Sequence, residues 1–91
     1  MFKTLEELIT IIRQRKRSST EKSYTSKLLN NKKLSVEKVK EEIAELINAI
    51  EKDTNKIHES ADVLYHLMVL LEANGIKIED VMEELNRRQK K

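Results

Sequence analysis

Apolar residues recur at helical spacing along most of the chain. Four of them near the N-terminus fall on one helical face: Leu5, Leu8, Ile9 and Ile12. This spacing predicts a first helix that begins at about Leu5, where Thr4 and Glu7 match a capping box. Residues 18–20 lose the apolar period, and we expect a loop there.

Two longer helices are predicted in the middle of the chain. The first extends from Ser35, its predicted N-cap, to about Lys52 and carries an apolar stripe. The stripe consists of Val36, Val39, Ile43, Ile47 and Ile50. The second extends from about Lys56 to Ala73 and is apolar on nearly every side, which indicates burial on several sides. Its predicted core face consists of Ile57, Ala61, Leu64, Met68 and Leu71.

Shorter apolar segments flank these two helices. One precedes a turn that we predict at residues 30–33, because asparagine tolerates left-handed backbone. Gly75 stands where the second long helix should end, and a shorter helix is predicted from about Ile78. The apolar positions of that helix are Ile78, Val81, Met82 and Leu85. We therefore predict a single all-α domain over residues 1–91, with two long and two shorter helices.

Composition narrows the class of protein. The 91 residues include one glycine and no cysteine or proline, which excludes a disulfide scaffold, a zinc finger, a cysteine nucleophile and a glycine-rich nucleotide loop. No apolar stretch is long enough to span a bilayer and the N-terminus is not a signal peptide, so we expect a cytoplasmic protein. Because one chain of this size buries little core, we expect a homodimer that completes a four-helix-type core.

Charge is divided unevenly along the chain. Residues 1–40 carry a net charge of +7, and residues 41–91 carry a net charge of −5. The basic half favours an anionic partner, and the acidic half favours a cation or a complementary surface within the fold. The basic run at residues 13–17 has no interleaved aromatic residues, so binding to nucleic acid is not expected.

Two carboxylate pairs carry the candidate chemistry. Glu42 and Glu45 share one face of the first long helix, and Glu59 and Asp62 share one face of the second. Carboxylates on a nearly apolar helix are poorly solvated, and they normally neutralise, pair or bind a metal. Four carboxylates without a histidine or cysteine cluster indicate a hard cation, Mg²⁺ or Mn²⁺, of the kind that also binds substrate phosphates. Alternatively, the first pair is a solvated face paired with Lys38, and the second interacts with the helix dipole.

Three motifs together resemble a known family. They are Ser23-Tyr24-Thr25, Lys38-x-x-Glu41-Glu42-x-x-Glu45 and Glu59-x-x-Asp62-Val63-Leu64-Tyr65-His66. The two carboxylate motifs resemble the metal motif of the all-α nucleoside triphosphate pyrophosphohydrolases. The full set, over nearly the whole chain, resembles the phosphoribosyl-ATP pyrophosphatase family of histidine biosynthesis.

This resemblance implies an activity and a set of site residues. The activity is hydrolysis of phosphoribosyl-ATP to phosphoribosyl-AMP and pyrophosphate with Mg²⁺, for which Mn²⁺ could substitute. The implied metal ligands are Glu42, Glu45, Glu59 and Asp62. Glu41 would be a further ligand or would orient the attacking water. The implied substrate- or phosphate-binding residues are Arg13, Lys16, Arg17, Ser23, Tyr24, Thr25, Lys38, Tyr65 and His66.

Two departures from the family pattern and two alternative functions stay open at this point. Lys40 occupies a position where the family usually has glycine, and Asn30 and Asn31 stand where the family often has a glycine in the turn. On a helical wheel, Lys40 points away from the carboxylate face.

A related pyrophosphohydrolase acting on a nucleoside triphosphate would share the carboxylates without needing the hydroxyl and aromatic motifs. A non-catalytic helical dimer would bind an anionic partner through the basic half and would not depend on a metal.

Overall fold

The computed structural model describes residues 2–17 and 23–90, which form helices and no strand. The helices are α1 (Lys3–Arg17), α2 (Tyr24–Leu29), α3 (Lys32–Lys52), α4 (Lys56–Ala73) and α5 (Ile78–Gln89). The predicted all-α class is confirmed. The predicted number of helices is wrong, because the short apolar segment before the turn forms a helix of its own, α2. The predicted loop at residues 18–20 lies outside the described residues.

The predicted start of α3 is wrong. The helix begins at Lys32, and its cap is Asn31, whose side-chain oxygen accepts a hydrogen bond from the Leu34 N–H at 3.1 Å. Asparagine caps a helix as well as serine does, so the chain enters the helix earlier than the predicted cap. Ser35 is consequently a buried residue of the helix, and the preceding turn is shorter than predicted.

Other helix ends lie closer to the prediction. The capping box predicted for α1 is wrong, because the helix already begins at Lys3 and Thr4 lies inside it. The bounds predicted for α4 are confirmed, and Gly75 follows its end with a φ of 70°. This left-handed backbone is accessible to glycine without steric cost, which accounts for the only glycine of the sequence.

The hydrophobic core lies between α1, α2 and the C-terminal half of α4. Its buried members are Ile12, Leu28, Leu29, Met68, Val69 and Ala73. The predicted apolar face of α1 is confirmed, because all four of its residues belong to this core or pack against it. Ile78 of α5 also packs against the core, whereas Met82 and Leu85 are exposed. No helix in the two described ranges is long and apolar enough to cross a membrane.

α3 turns a different side toward the rest of the chain than its apolar stripe predicts. Val39 of the stripe is buried, whereas Ile47 is 52% exposed and its stripe neighbours are exposed as well. The buried or half-buried positions include Ser35, Glu42, Leu46 and Ala49. At 100° per residue, this row is rotated by about 90° from the stripe. Within one chain the predicted core stripe is therefore wrong, because α2 and α4 pack on the neighbouring side of α3.

The predicted core face of α4 is divided along its length. Met68 is buried and Leu71 packs against the core, but Leu64 is exposed and Ile57 is 88% exposed. α1 and α2 cover the C-terminal half of α4 and leave apolar residues of its N-terminal half exposed. The exposed apolar residues of the two helices are named here the α3–α4 apolar face: Val36, Ile43, Ile47, Ile50, Ile57 and Leu64.

Candidate active site

Carboxylates from α3 and α4 converge at one point. The short turn at residues 53–55 makes the two helices antiparallel neighbours. One carboxylate oxygen from each of Glu42, Glu45 and Glu59 lies within 4.8 Å of the other two. Glu42 is half-buried on the side of α3 that faces α4, and Glu45 is exposed beside it. The rotation of α3 that exposes its apolar stripe is therefore also what directs Glu42 toward α4.

Burial and neighbouring charges make Glu42 and Glu59 weaker acids. Burial is the main cause that raises the pKa of Glu42, and a hydrogen bond between its carboxyl group and the neighbouring Glu45, together with the charge of Glu45, adds to it. Partial burial also raises the pKa of Glu59, with further contributions from Glu45 and Asp62. Like charges at such short range repel one another, and a cation among them would remove the repulsion.

Asp62 lies on the other side of Glu59, next to a histidine that the sequence analysis did not select. His58, Glu59 and Asp62 offer one ligand atom each, and these three atoms lie within 4.8 Å of one another. Nε2 of His58 is 3.4 Å from Oδ2 of Asp62. The signal that could have identified His58 is its position four residues before Asp62, which places both on one helical face.

Lys38 and Glu41 lie at the edge of this carboxylate group. Nζ of Lys38 is 3.7 Å from Oε2 of Glu41, and Glu41 is largely exposed. Among the described residues, neither group of potential metal ligands contains Glu41. Lys40 is exposed, in agreement with the helical wheel, and therefore lies outside the side of α3 that packs on α2 and α4.

The hydroxyl motif on α2 meets the aromatic motif on α4. The Tyr24 and Tyr65 rings are stacked with centroids 6.4 Å apart, and the hydroxyls of Thr25 and Tyr65 share a hydrogen bond. Burial raises the pKa of Tyr24, while the charge of Lys38 lowers it and that of Glu42 raises it. The two motifs that were specific to the resemblance are thus neighbours of the carboxylate group in space.

His66 is held in place by both of its ring nitrogens. Nδ1 lies 2.8 Å from the carbonyl oxygen of Asp62, which can only accept, so Nδ1 carries a proton. In the neutral imidazole, Nε2 then accepts a hydrogen bond from the Tyr24 hydroxyl at 3.0 Å. His66 is buried, and its contacts position Tyr24 rather than present a free nitrogen to a ligand.

Ser23 has a structural contact that its predicted role did not include. It caps α2, because its hydroxyl oxygen accepts a hydrogen bond from the Ser26 N–H at 3.1 Å. Its own hydroxyl lies 3.1 Å from the buried hydroxyl of Ser26. The cap orients the first turn of α2, where Tyr24 and Thr25 stand.

The basic end of α1 is directed away from the carboxylate group. Nε of Arg13 lies 2.8 Å from Glu72, and its two terminal nitrogens lie 2.9 and 2.7 Å from the Glu79 carboxylate. Nζ of Lys16 donates to the carbonyl oxygen of Glu72 at 2.6 Å. Glu72 is ten residues beyond Asp62, or about 15 Å along the helix. Within one chain, Arg13 and Lys16 therefore lie away from the carboxylate group, and their role in binding phosphate stays a prediction.

Arg17, the third basic residue predicted in that region, ends α1 and is exposed. The basic segment lies away from the carboxylate group because Arg13 is paired with Glu72 and Glu79. A guanidinium binds carboxylates with two parallel hydrogen bonds, and the acidic residues at the end of α4 and the start of α5 provide such partners.

The fold and the site define a small all-α protein with a candidate cation site formed by carboxylates of two neighbouring helices. A family model described as phosphoribosyl-ATP pyrophosphohydrolase matches residues 5–89. The chain belongs to this family, and the resemblance found in the sequence motifs is confirmed.

Individual relatives agree with this assignment. The chain is 46% identical over 92 residues to the phosphoribosyl-ATP pyrophosphatase of Methylobacterium nodulans, covering 93% of this chain and 82% of the relative. It is 44% identical over 92 residues to the phosphoribosyl-ATP pyrophosphatase of Clostridium novyi, covering 96% and 82%. It is also 47% identical over 87 residues to the histidine biosynthesis bifunctional protein HisIE of Pyrococcus furiosus, covering 94% of this chain. The chain spans only 41% of the length of that bifunctional relative.

Proposed function

We propose that this chain hydrolyses phosphoribosyl-ATP to phosphoribosyl-AMP and pyrophosphate, the second step of histidine biosynthesis. Membership of the phosphoribosyl-ATP pyrophosphohydrolase family and the names of the relatives support this substrate. The observation that carries the proposal is the convergence of Glu42, Glu45 and Glu59 from two helices, with Asp62 adjacent.

The donor set fits the proposed cation. Four carboxylates provide the hard oxygen ligands that Mg²⁺ prefers, and Mn²⁺ accepts the same ligands. Burial is the main cause that raises the pKa of Glu42 and of Glu59, and the charge of the neighbouring Glu45 adds to it. A cation among these carboxylates would favour their charged forms. We therefore assign Glu42, Glu45, Glu59 and Asp62 to hold Mg²⁺. When bound, Mg²⁺ would neutralise charge that develops on the phosphates during hydrolysis.

The remaining residues of the site act on the substrate and on water. The reaction forms one P–O bond to water and breaks the bond between the α- and β-phosphates, and it releases pyrophosphate. Lys38, beside Glu41, is placed to meet phosphate charge, and the exposed Glu41 carboxylate can orient the attacking water. Tyr24 is close enough to Glu42 for the two charges to interact, and the hydroxyls of Tyr24 and its neighbour Thr25 can hydrogen-bond the substrate. A covalent nucleophile is not required by this chemistry.

We further propose that the protein is a homodimer formed through the α3–α4 apolar face. The isoleucine and leucine residues of this face are 43–88% exposed on two packed helices, which is costly in water, and exposed apolar patches mark protein interfaces. Two α3–α4 pairs packed on each other would form a four-helix core. Since the carboxylate group lies on the same two helices, dimerisation would bring the sites of both protomers to one bundle. A basic segment such as residues 13–17 could then reach the site of the partner subunit.

The experiment that tests the function measures pyrophosphate released from phosphoribosyl-ATP with and without Mg²⁺. ATP and dCTP serve as control substrates. The proposal expects Mg²⁺-dependent release from phosphoribosyl-ATP and little from either control. Release mainly from ATP or dCTP would keep the metal site and reject the substrate. An absence of release from all three, with the helical fold intact, would favour the hypothesis of a binding protein.

A further inference from the structure

His58 is an exposed histidine at the edge of the carboxylate group. It stands in the first turn of α4, and its side chain is 75% exposed. Of the two histidines in the sequence, it is the one whose ring does not take part in the Tyr24–His66–Asp62 contacts. Its Nε2 lies 3.4 Å from Oδ2 of Asp62.

That distance is informative about what can lie between the two atoms. It is longer than a good N–H···O hydrogen bond, which spans about 2.7–3.2 Å. It matches the separation of two ligands that each stand about 2.1 Å from one tetrahedral Zn²⁺, which is roughly 3.4 Å. The two side chains therefore have the spacing of a pair of metal ligands without any change of conformation.

Glu59 connects this pair to the other carboxylates. It belongs both to the group with His58 and Asp62 and to the group with Glu42 and Glu45. A carboxylate has two oxygens and can bridge two cations, as in two-metal sites with ions about 3.5–4 Å apart. The two groups thus have the arrangement of two adjacent cation positions with one shared ligand.

We propose that His58, Glu59 and Asp62 form a second cation position that binds a transition-metal ion such as Zn²⁺ rather than Mg²⁺. The inference rests on the proposed cation site, since Glu59 and Asp62 are both assigned to Mg²⁺ in that proposal. An imidazole nitrogen adds affinity for Zn²⁺ and Co²⁺ and adds little for Mg²⁺, which prefers oxygen ligands and retains its water. An all-oxygen position therefore suits Mg²⁺, and the position with His58 suits the softer ion.

The test titrates the full chain with ZnCl₂ alone and follows the ring nitrogens of its two histidines by nuclear magnetic resonance. His66 serves as an internal reference, because both of its ring nitrogens are engaged. We expect the His58 signals to shift saturably with Zn²⁺ and to stay in place with Mg²⁺. His58→Asn should lower the Zn²⁺ affinity measured by calorimetry by about tenfold or more, since even outer-shell changes alter metal affinity 10–100-fold. The same variant should leave the Mg²⁺ affinity unchanged.

Two further variants sharpen the interpretation. Glu59→Gln should weaken the binding of both metals, and Glu83→Gln, on the exposed side of α5, should weaken neither. The inference is overturned if Zn²⁺ leaves the His58 signals in place, or if His58→Asn binds Zn²⁺ as tightly as the unchanged chain. In either case Mg²⁺ binding that depends on Glu45 would leave the proposed function standing. A chain that binds neither metal would reject both proposals.

Discussion

The hydroxyl of Tyr24 lies 3.0 Å from Nε2 of His66, and Nδ1 of His66 lies 2.8 Å from the carbonyl oxygen of Asp62. One imidazole thus connects the short helix α2 to the helix that carries two candidate metal ligands. Because the ring is buried and both nitrogens are engaged, the position of Tyr24 is tied to that of the Asp62 backbone.

Tyr24→Phe removes the hydroxyl and leaves Nε2 of the buried His66 without its partner. We expect the free energy of unfolding in urea to fall by about 1–2 kcal/mol, because a buried polar atom without a partner in the protein cannot hydrogen-bond to water either. Thr25→Val, which leaves the Tyr24–His66 hydrogen bond intact, is the comparison. An unfolding free energy of Tyr24→Phe equal to that of the unchanged chain would show that this bond adds nothing to the fold.

Glu45→Gln should separate the electrostatic role of the carboxylate group from its structural role. Burial is the main cause of the raised pKa values of Glu42 and Glu59, and the charge of Glu45 adds to it, so removal of that charge relieves a repulsion and the fold should be retained. Pyrophosphate release with Mg²⁺ should fall by about a hundredfold or more, as for other groups that stabilise developing charge. The rise in melting temperature on addition of Mg²⁺ should shrink as well, because bound ligand stabilises the folded state.

Glu37→Gln is the matched control for this change. It replaces an exposed glutamate of the same helix that belongs to neither group of potential metal ligands among the described residues. Its Mg²⁺-dependent activity and melting temperature should equal those of the unchanged chain. If Glu45→Gln behaved in the same way as this control, Glu45 would have to be removed from the proposed metal ligands.

The Arg13–Glu79 ion pair should make stability depend on pH in acid. The hydrogen bond from Arg13 lowers the pKa of Glu79 from 4.5 to about 2. As the pH falls, the Glu79 carboxylate is therefore protonated in the unfolded chain before it is protonated in the folded chain. The contribution of the pair to the free energy of unfolding is therefore complete above about pH 4.5 and is lost as the pH falls toward about 2.

Urea unfolding of Glu79→Gln at a series of pH values measures this contribution. The variant should be less stable than the unchanged chain at pH 7, by a modest amount because the pair is exposed. The difference should disappear as the pH approaches 2. Glu83→Gln, on the same helix, should show a much smaller difference at every pH. A difference for Glu79→Gln that stayed constant between pH 7 and pH 2 would contradict the assignment to this ion pair.

Ile47→Glu should disrupt the proposed dimer. Ile47 is 52% exposed within one chain and lies in the middle of the α3–α4 apolar face. A charge buried at a dimer interface would be costly, so analytical ultracentrifugation should find a lighter species than for the unchanged chain. Met82→Glu, which places a charge on an exposed apolar residue of α5, should leave the oligomeric state unchanged. Equal sedimentation of Ile47→Glu and the unchanged chain would reject this interface.

The start of α3 provides a test that uses two single substitutions. Asn31→Ala removes the cap and should lower the free energy of unfolding by about 1 kcal/mol. Ser35→Ala should be neutral or stabilising, because the Ser35 hydroxyl is buried and lacks a hydrogen-bond partner among the described residues. A larger loss of unfolding free energy for Ser35→Ala than for Asn31→Ala would indicate that Ser35 is the cap after all.

Several parts of this protein follow from sequence pattern alone. The bounds of α4, the left-handed Gly75 and the apolar face of α1 depend on interactions between residues a few positions apart, and such interactions can be predicted from spacing and residue type. The motifs that carry the resemblance are also local. The start of α3 was predicted wrongly because Asn31 and Ser35 are both suitable N-cap residues, and the sequence pattern does not distinguish between them.

Tertiary structure decided which side of each helix packs against the other helices and which charged side chains form ion pairs. The isoleucine stripe of α3 predicts an inward face, yet packing on α2 and α4 turns Glu42 inward and leaves Ile47 exposed. Arg13 has partners 59 and 66 residues away, so its direction could not be inferred from its basic neighbours. The physical reason is that helical spacing determines the angle between side chains on one helix, whereas the rotation of that helix depends on the elements that pack against it.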